Sequence, residues 1–163
     1  MTVSIDNIYD KIVVFGQSCS GKTTFAKQLT GHHYHCFDAL FDWHAFECLG
    51  TSVKSNLLYI GENCKEPRYV IDGWHLADKE GKYLPENSRV YVVYCSYEQI
   101  LDQYRVEVKH RDEYLMMYKR WYLGVNYEKL NARYIRNTRE QFVETSTQEF
   151  LDEIRSSLYG ETE

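Results

Sequence analysis

The sequence lacks any apolar run approaching the ~18 residues that a membrane-spanning helix needs. It also lacks cysteines at CxxC spacing. Its five cysteines, Cys19, Cys36, Cys48, Cys64 and Cys95, are odd in number and scattered. Neither a zinc site nor a disulfide framework is indicated, and reduced thiols in a cytoplasmic protein are expected. The six histidines, His32, His33, His35, His44, His75 and His110, show no metal-binding spacing. There is no internal repeat, low-complexity tract or linker. A single domain over residues 1–163, large enough for a hydrophobic core, is therefore expected. The opening MTVSIDNIYDK carries acids and no long apolar stretch, so it does not read as a secretory signal. Excess positive charge is absent too. A net charge of −5 argues against simple electrostatic binding of nucleic acid.

That charge is unevenly spread. Between Tyr97 and Arg139 nine Lys/Arg stand against six Asp/Glu, a local positive region suited to a small anionic ligand or one stretch of nucleic-acid backbone. Short apolar runs alternate with helical spacing along the chain. Lys11 to Phe15, Tyr34 to Phe37, Arg68 to Ile71 and Val90 to Cys95 read as strands. Gln141 to Glu144 reads as a short fifth strand. Helices are expected over Lys22 to Leu29, 40–49, 53–60, Tyr97 to Val108 and 113–123. A capping box at Ser146-Thr-Gln-Glu149 opens a last helix through Leu158. Such alternation implies a parallel sheet covered on both faces, an α/β doubly wound fold.

The stretch FGQSCSGKTTFAKQL carries the chemistry. Gly16-Gln17-Ser18-Cys19-Ser20-Gly21-Lys22-Thr23 matches G-x-x-x-x-G-K-[ST] at every fixed position, with Thr24 following, between a strand and a helix. Glycines let consecutive amide N–H groups turn inward onto phosphate oxygens, and the start of a helix adds its positive end. Lys22 reaches the β and γ phosphates as a point charge, while the Thr23 hydroxyl serves Mg²⁺. ATP and Mg²⁺ are the implied ligands. No N-K-x-D element follows any asparagine, which excludes a switch GTPase, and the length suits a small kinase.

GQSCSGKTT, FDALFDW (Phe37 to Trp43) and YVIDGW (Tyr69 to Trp74) together resemble the P-loop nucleotide and nucleoside kinase superfamily, over most of the chain. The last two elements are similar to those of small adenylate-kinase-like proteins. The resemblance implies a five-stranded parallel sheet in the order 2-3-1-4-5 with a helical lid at about 105–125. No arginine follows Asp72-Gly73 as in adenylate kinases, and the E-P pair of deoxynucleoside kinases is missing. Asp38 and Asp72 both end strands, which puts them at the carboxyl edge of the sheet, where ligands bind. In the implied order Asp72 lies beside the P-loop strand and near Mg²⁺; it also stands where a turn residue would. Asp38, one strand further out, faces the acceptor as a general base, or caps the following helix. Asp42 lies on the same helix face. Arg105 and Arg111 flank VEVKHRDE and are the candidate lid arginines, or surface ion pairs. The resemblance places Arg133 and Arg136 towards adenine. Trp43 and Trp74 either stack on an acceptor base or pack beneath the site.

The expected activity is transfer of the ATP γ-phosphoryl group to a nucleoside- or nucleotide-type acceptor. A phosphate acceptor is already ionised and needs no base, so Asp38 favours a hydroxyl. Viral kinases acting on 5-hydroxymethyluracil in DNA look similar and make modified DNA one such acceptor, with the cytoplasm of a host as location. A nucleoside monophosphate kinase, and an ATP-binding regulator with slow hydrolysis, are the alternatives.

Overall fold

The computed structural model describes residues 9–16, 20–29, 31–36, 66–72, 84, 87–104, 122 and 127–159. Six strands form one sheet. They are β1 (Lys11–Phe15), β2 (His33–Cys36), β3 (Tyr69–Asp72), β4 (Ser88–Tyr94), β5 (Arg133–Asn137) and β6 (Phe142–Thr145), in the order β2-β3-β1-β4-β5-β6. The helices among the described residues are α1 (Lys22–Lys27), α2 (Tyr97–Tyr104), α3 (Tyr127–Leu130) and α4 (Thr147–Tyr159). The first five strands are mutually parallel, and their order, 2-3-1-4-5, is the one expected.

One assignment is corrected. The segment read as the fifth strand is β6, which pairs antiparallel with β5. The fifth parallel strand is Arg133–Asn137, absent from the sequence reading. The helix expected over 113–123 and the lid expected at about 105–125 lie outside the described residues except for Tyr122, and the helices over 40–60 lie wholly outside them.

Burial explains the layering. Ile12, Val13, Val14 and Phe15 of β1 are each at most 4% exposed, as a strand covered on both faces must be. Alternation along β4 divides two cores. Tyr91 and Val93 join Phe25, Ala26 and Leu29 under α1, while Val90, Val92 and Tyr94 join Ile100, Leu101, Phe150 and Ile154 under α2 and α4. The sheet is therefore doubly wound, with α1 on one face and α2 and α4 on the other. Phe25 fixes α1 by edge contacts with Tyr91 (5.3 Å) and Phe142 (5.5 Å). The predicted capping box opens α4: Glu149 N–H donates to Ser146 Oγ at 3.1 Å and Ser146 N–H to Glu149 Oε1 at 3.4 Å. No helix among the described residues is long and apolar enough to cross a membrane.

The second core is rich in tyrosine. Tyr94 shares a 2.7 Å hydrogen bond with Thr145 Oγ1. Desolvation by burial holds the Tyr94 and Tyr134 phenols above their ordinary value of 10.0. Both stay neutral in the folded state while the unfolded chain ionises first. Their contribution is therefore complete below about pH 10 and is lost as the pH rises through the folded-state values. Melting temperature should be flat between about pH 7 and 9 and fall above 10, and Tyr94→Phe should lessen that fall.

Candidate active site

At the end of β1 the chain passes directly into Gly16, which is buried against β4. A Cβ here would stand 2.5 Å from the Val93 carbonyl oxygen and 2.9 Å from Ser20 Oγ. Packing alone therefore demands glycine at the first fixed position of the motif. The same approach brings the two ends of the loop together. Ser20 is fully buried, and its hydroxyl has no hydrogen-bond partner among the described residues. Gly21 then takes φ 98° and ψ 9°, the left-handed conformation that glycine adopts without strain, and its carbonyl accepts the first helical bond, from Phe25 N–H at 2.9 Å. Lys22 begins α1 half-buried, with no acidic residue in the first turn.

β3 lies between β2 and β1, with Val14 of β1 and Cys36 of β2 both in register with Asp72. Asp72 ends β3 and is 2% exposed. Thr23 Oγ1, one residue after the motif lysine, donates to Asp72 Oδ2 at 2.7 Å. The Tyr34 hydroxyl of β2 donates to the same oxygen. Tyr34 pairs with Val70, so its phenol reaches diagonally, two residues along β3, to the carboxylate. The Lys27 ammonium lies 5.3 Å from the centre of the Tyr34 ring and extends the same face.

This donor set fits Mg²⁺. A hydroxyl and a carboxylate are hard oxygen donors, and Mg²⁺ is typically held by one or two carboxylates, waters and substrate phosphates. Because Thr23 gives its proton to Asp72, the lone pairs of Oγ1 remain for a cation. No group of three or more His, Cys, Asp or Glu among the described residues forms a rival metal site.

Beside the loop, a cavity of about 580 Å³ opens between α1 and the β5–β6 turn, lined by Thr24, Gln28, Asn137, Arg139 and Gln141 among others. Asn137 ends β5. Its Nδ2 donates to the Ser20 carbonyl at 2.9 Å, and its Oδ1 accepts from the Arg139 N–H at 2.9 Å. The turn is closed by Thr138 and Gln141, whose backbones bond at 3.0 Å, with Arg139 at φ 77°.

The structure thus brings together Gly16, Ser20, Gly21, Lys22, Thr23, Thr24 and Asp72. Gln17, Ser18, Cys19, Asp38, Asp42, Trp43, Trp74, Arg105 and Arg111 lie outside the described residues. Arg136 does not face α1. Strand alternation turns it to the α4 side, where it pairs with Glu153 at 2.7 Å, and Arg133 pairs with Glu144 of β6 at 3.5 Å. Asn137 and Arg139, two of the polar residues lining the cavity, were missed by sequence reasoning, as was Tyr34. A polar residue at the carboxyl end of a parallel strand would have signalled Asn137, had β5 been recognised.

The chain's structure is similar to that of a gluconokinase from Sinorhizobium meliloti 1021, at 16% identity over 91% of each chain and a TM-score of 0.55. It is also similar to a sugar kinase from Janibacter sp. HTCC2649, at 14% identity over 93% of this chain and 95% of that one, with a TM-score of 0.51. A shikimate kinase from Acinetobacter baumannii in complex with shikimate is 18% identical over 91% of this chain and 94% of that one, with a TM-score of 0.51. The chain has the fold of the small P-loop kinases. No protein-family model and no curated protein sequence matches it.

Proposed function

We propose that the protein is a Mg²⁺-dependent kinase that moves the γ-phosphoryl group of ATP to a hydroxyl group of a small-molecule acceptor. The observation that carries this reading is the 2.7 Å bond between Thr23 of the loop and the buried, strand-terminal Asp72. It joins the two elements that a metal-bridged triphosphate requires, and a chance glycine turn has no need of it.

Each residue then has a task. Amides from Gly16 to Thr23 hold the phosphate oxygens. Lys22 places its ammonium on the β and γ phosphates, where charge shifts as the phosphoryl group leaves. Thr23 and Asp72 would hold Mg²⁺ through their oxygen atoms. When bound, the ion would neutralise charge on the phosphates. Tyr34 keeps the Asp72 carboxylate turned towards Thr23. The cavity between α1 and the β5–β6 turn receives the base and ribose, since it adjoins Gly21 and Thr24. Asp38, two residues beyond the end of β2, accepts the proton of the attacking hydroxyl, and Arg105 and Arg111 close on the transferring group from the lid.

The three similar proteins are a gluconokinase, a sugar kinase and a shikimate kinase, whose namesake compounds all bear hydroxyl groups. They support a small hydroxyl acceptor. A nucleoside keeps that chemistry, whereas the net charge of −5 weighs against a DNA acceptor. A panel of sugars, cyclic polyols, nucleosides, nucleoside monophosphates and hydroxymethylated DNA, offered with labelled ATP, identifies the acceptor class. Phosphate release that is slow and independent of acceptor would indicate a regulator. With the acceptor in hand, Asp38→Asn should lower transfer about 100-fold or more while ATP affinity changes less than about threefold. Normal turnover in that variant would remove Asp38 from the mechanism.

A further inference from the structure

The phosphate loop alone does not account for its own shape at Gly21. Its glycine sits at φ 98°, and a peptide next to a glycine in this region reverses readily, because no Cβ resists the rotation. Reversal would exchange the directions of the Ser20 carbonyl and the Gly21 N–H, which a planar trans peptide holds on opposite sides. A carbonyl turned into a phosphate site repels the ligand that the amide would bind. Something must hold the Ser20 carbonyl outward.

We infer that Asn137, at the end of β5, is a positioning residue for the phosphate loop: its side-chain amide holds the Ser20 carbonyl and so turns the Gly21 N–H onto the bound polyphosphate. The inference rests on the nucleotide-binding reading above. Three observations carry it. Asn137 Nδ2 donates to the Ser20 carbonyl at 2.9 Å, across a sequence separation of 117 residues. The same nitrogen lies 2.6 Å from where a Gly21 Cβ would stand, so the amide rests directly on the loop glycine. The other end of the amide is fixed as well, since Oδ1 accepts the Arg139 N–H at 2.9 Å, which settles which atom faces the loop. Register fixes the side chain's direction. Ile135 lies in the core under α1, and Asn137, two residues on, is turned to the same face. Asn137 thereby links the β5–β6 turn, which lines the cavity, to the loop beside it.

Because Asn137 also borders the cavity, a direct contact with a base is the competing role, and a probe without a base separates the two. Calorimetric titrations with MgATP and with Mg²⁺–tripolyphosphate are made on the wild type, on Asn137→Ala and on Asn137→Leu, which fills the same space without a donor. Both variants are expected to bind both ligands about tenfold more weakly, by the same factor for each. In ¹⁵N-labelled wild type, tripolyphosphate should move the Gly21 amide proton downfield, and in the variants that displacement should shrink. Loss confined to MgATP would make Asn137 a base contact and overturn the inference. So would unchanged affinities, wild-type binding by Asn137→Leu, or a lowered melting temperature with both affinities intact. If wild type itself binds neither ligand, it is the nucleotide-binding reading that fails. The variant-to-wild-type ratio speaks only to Asn137.

Discussion

Lys22→Ala is expected to lower phosphoryl transfer about 1,000-fold at saturating acceptor, with the melting temperature nearly unchanged. The size follows from position. Lys22 is the residue at which the loop becomes α1, immediately after the left-handed Gly21 and immediately before Thr23, whose hydroxyl binds Asp72. Its ammonium is the motif's only full positive charge, and no acid in the first turn offsets it. In phosphoryl transfer the protein contributes position and charge rather than covalent chemistry, so one lost point charge is felt in full. Lys22→Arg should restore little, because a planar guanidinium cannot occupy the space of a compact ammonium in a closed loop. Initial rates of ADP formation, with thermal melts as the folding control, check this. Retention of more than about a tenth of wild-type activity by Lys22→Ala would show that the loop does not hold the transferring phosphate.

The largest stability effect is expected at Phe150→Ala, at about 3–5 kcal/mol. Phe150 is fully buried on α4 and faces three tyrosines. Its ring stacks on Tyr134 of β5 at 4.6 Å, meets Tyr94 of β4 edge-on at 4.9 Å and lies 6.0 Å from Tyr122. Removing the ring deletes both the buried apolar surface and the aromatic contacts. The rigid neighbours cannot collapse into the space, because the Tyr94 hydroxyl is tied to Thr145 and the Tyr122 hydroxyl to the Val93 carbonyl. A fall in melting temperature of roughly 10 °C is expected for a chain of this size. Phe150→Leu should cost less than half as much. Because α4 backs β5, and β5 ends in Asn137, the damage should also reach nucleotide affinity near the melting transition and fade well below it.

Different parts of this architecture were legible for different physical reasons. The loop could be read because its chemistry demands fixed residue types: Gly16 has a carbonyl where a side chain would go, and Gly21 needs a positive φ. β1, β3 and β4 are covered on both faces, so they appear as unbroken apolar runs, and the strand-terminal position of Asp72 follows. β5 did not show itself. Arginines at 133 and 136 interrupt it, and only Tyr134 and Ile135 are buried. What makes it a strand is pairing with β4, from Tyr91 opposite Arg133 to Tyr94 opposite Arg136, which no local window contains. The direction of β6 was hidden for a related reason. Its turn has neither glycine nor proline and places Arg139 in the left-handed region instead. Losing β5 meant losing Asn137, and hid the alternation that turns Arg136 to the α4 side, where it pairs with Glu153. Tyr34 could be read as a strand residue, but its reach to Asp72 depends on the β2–β3 register, which is settled only when the strands meet.

The central claim is that the loop and Asp72 together form a site for a metal-bound triphosphate. Calorimetric titration of ATP into the wild-type protein, in excess Mg²⁺ and again in EDTA, tests it most directly. Micromolar binding is expected with Mg²⁺, at least tenfold weaker binding without it, and little metal dependence in Asp72→Ala. No measurable binding, or an affinity in EDTA equal to that in Mg²⁺, would contradict it.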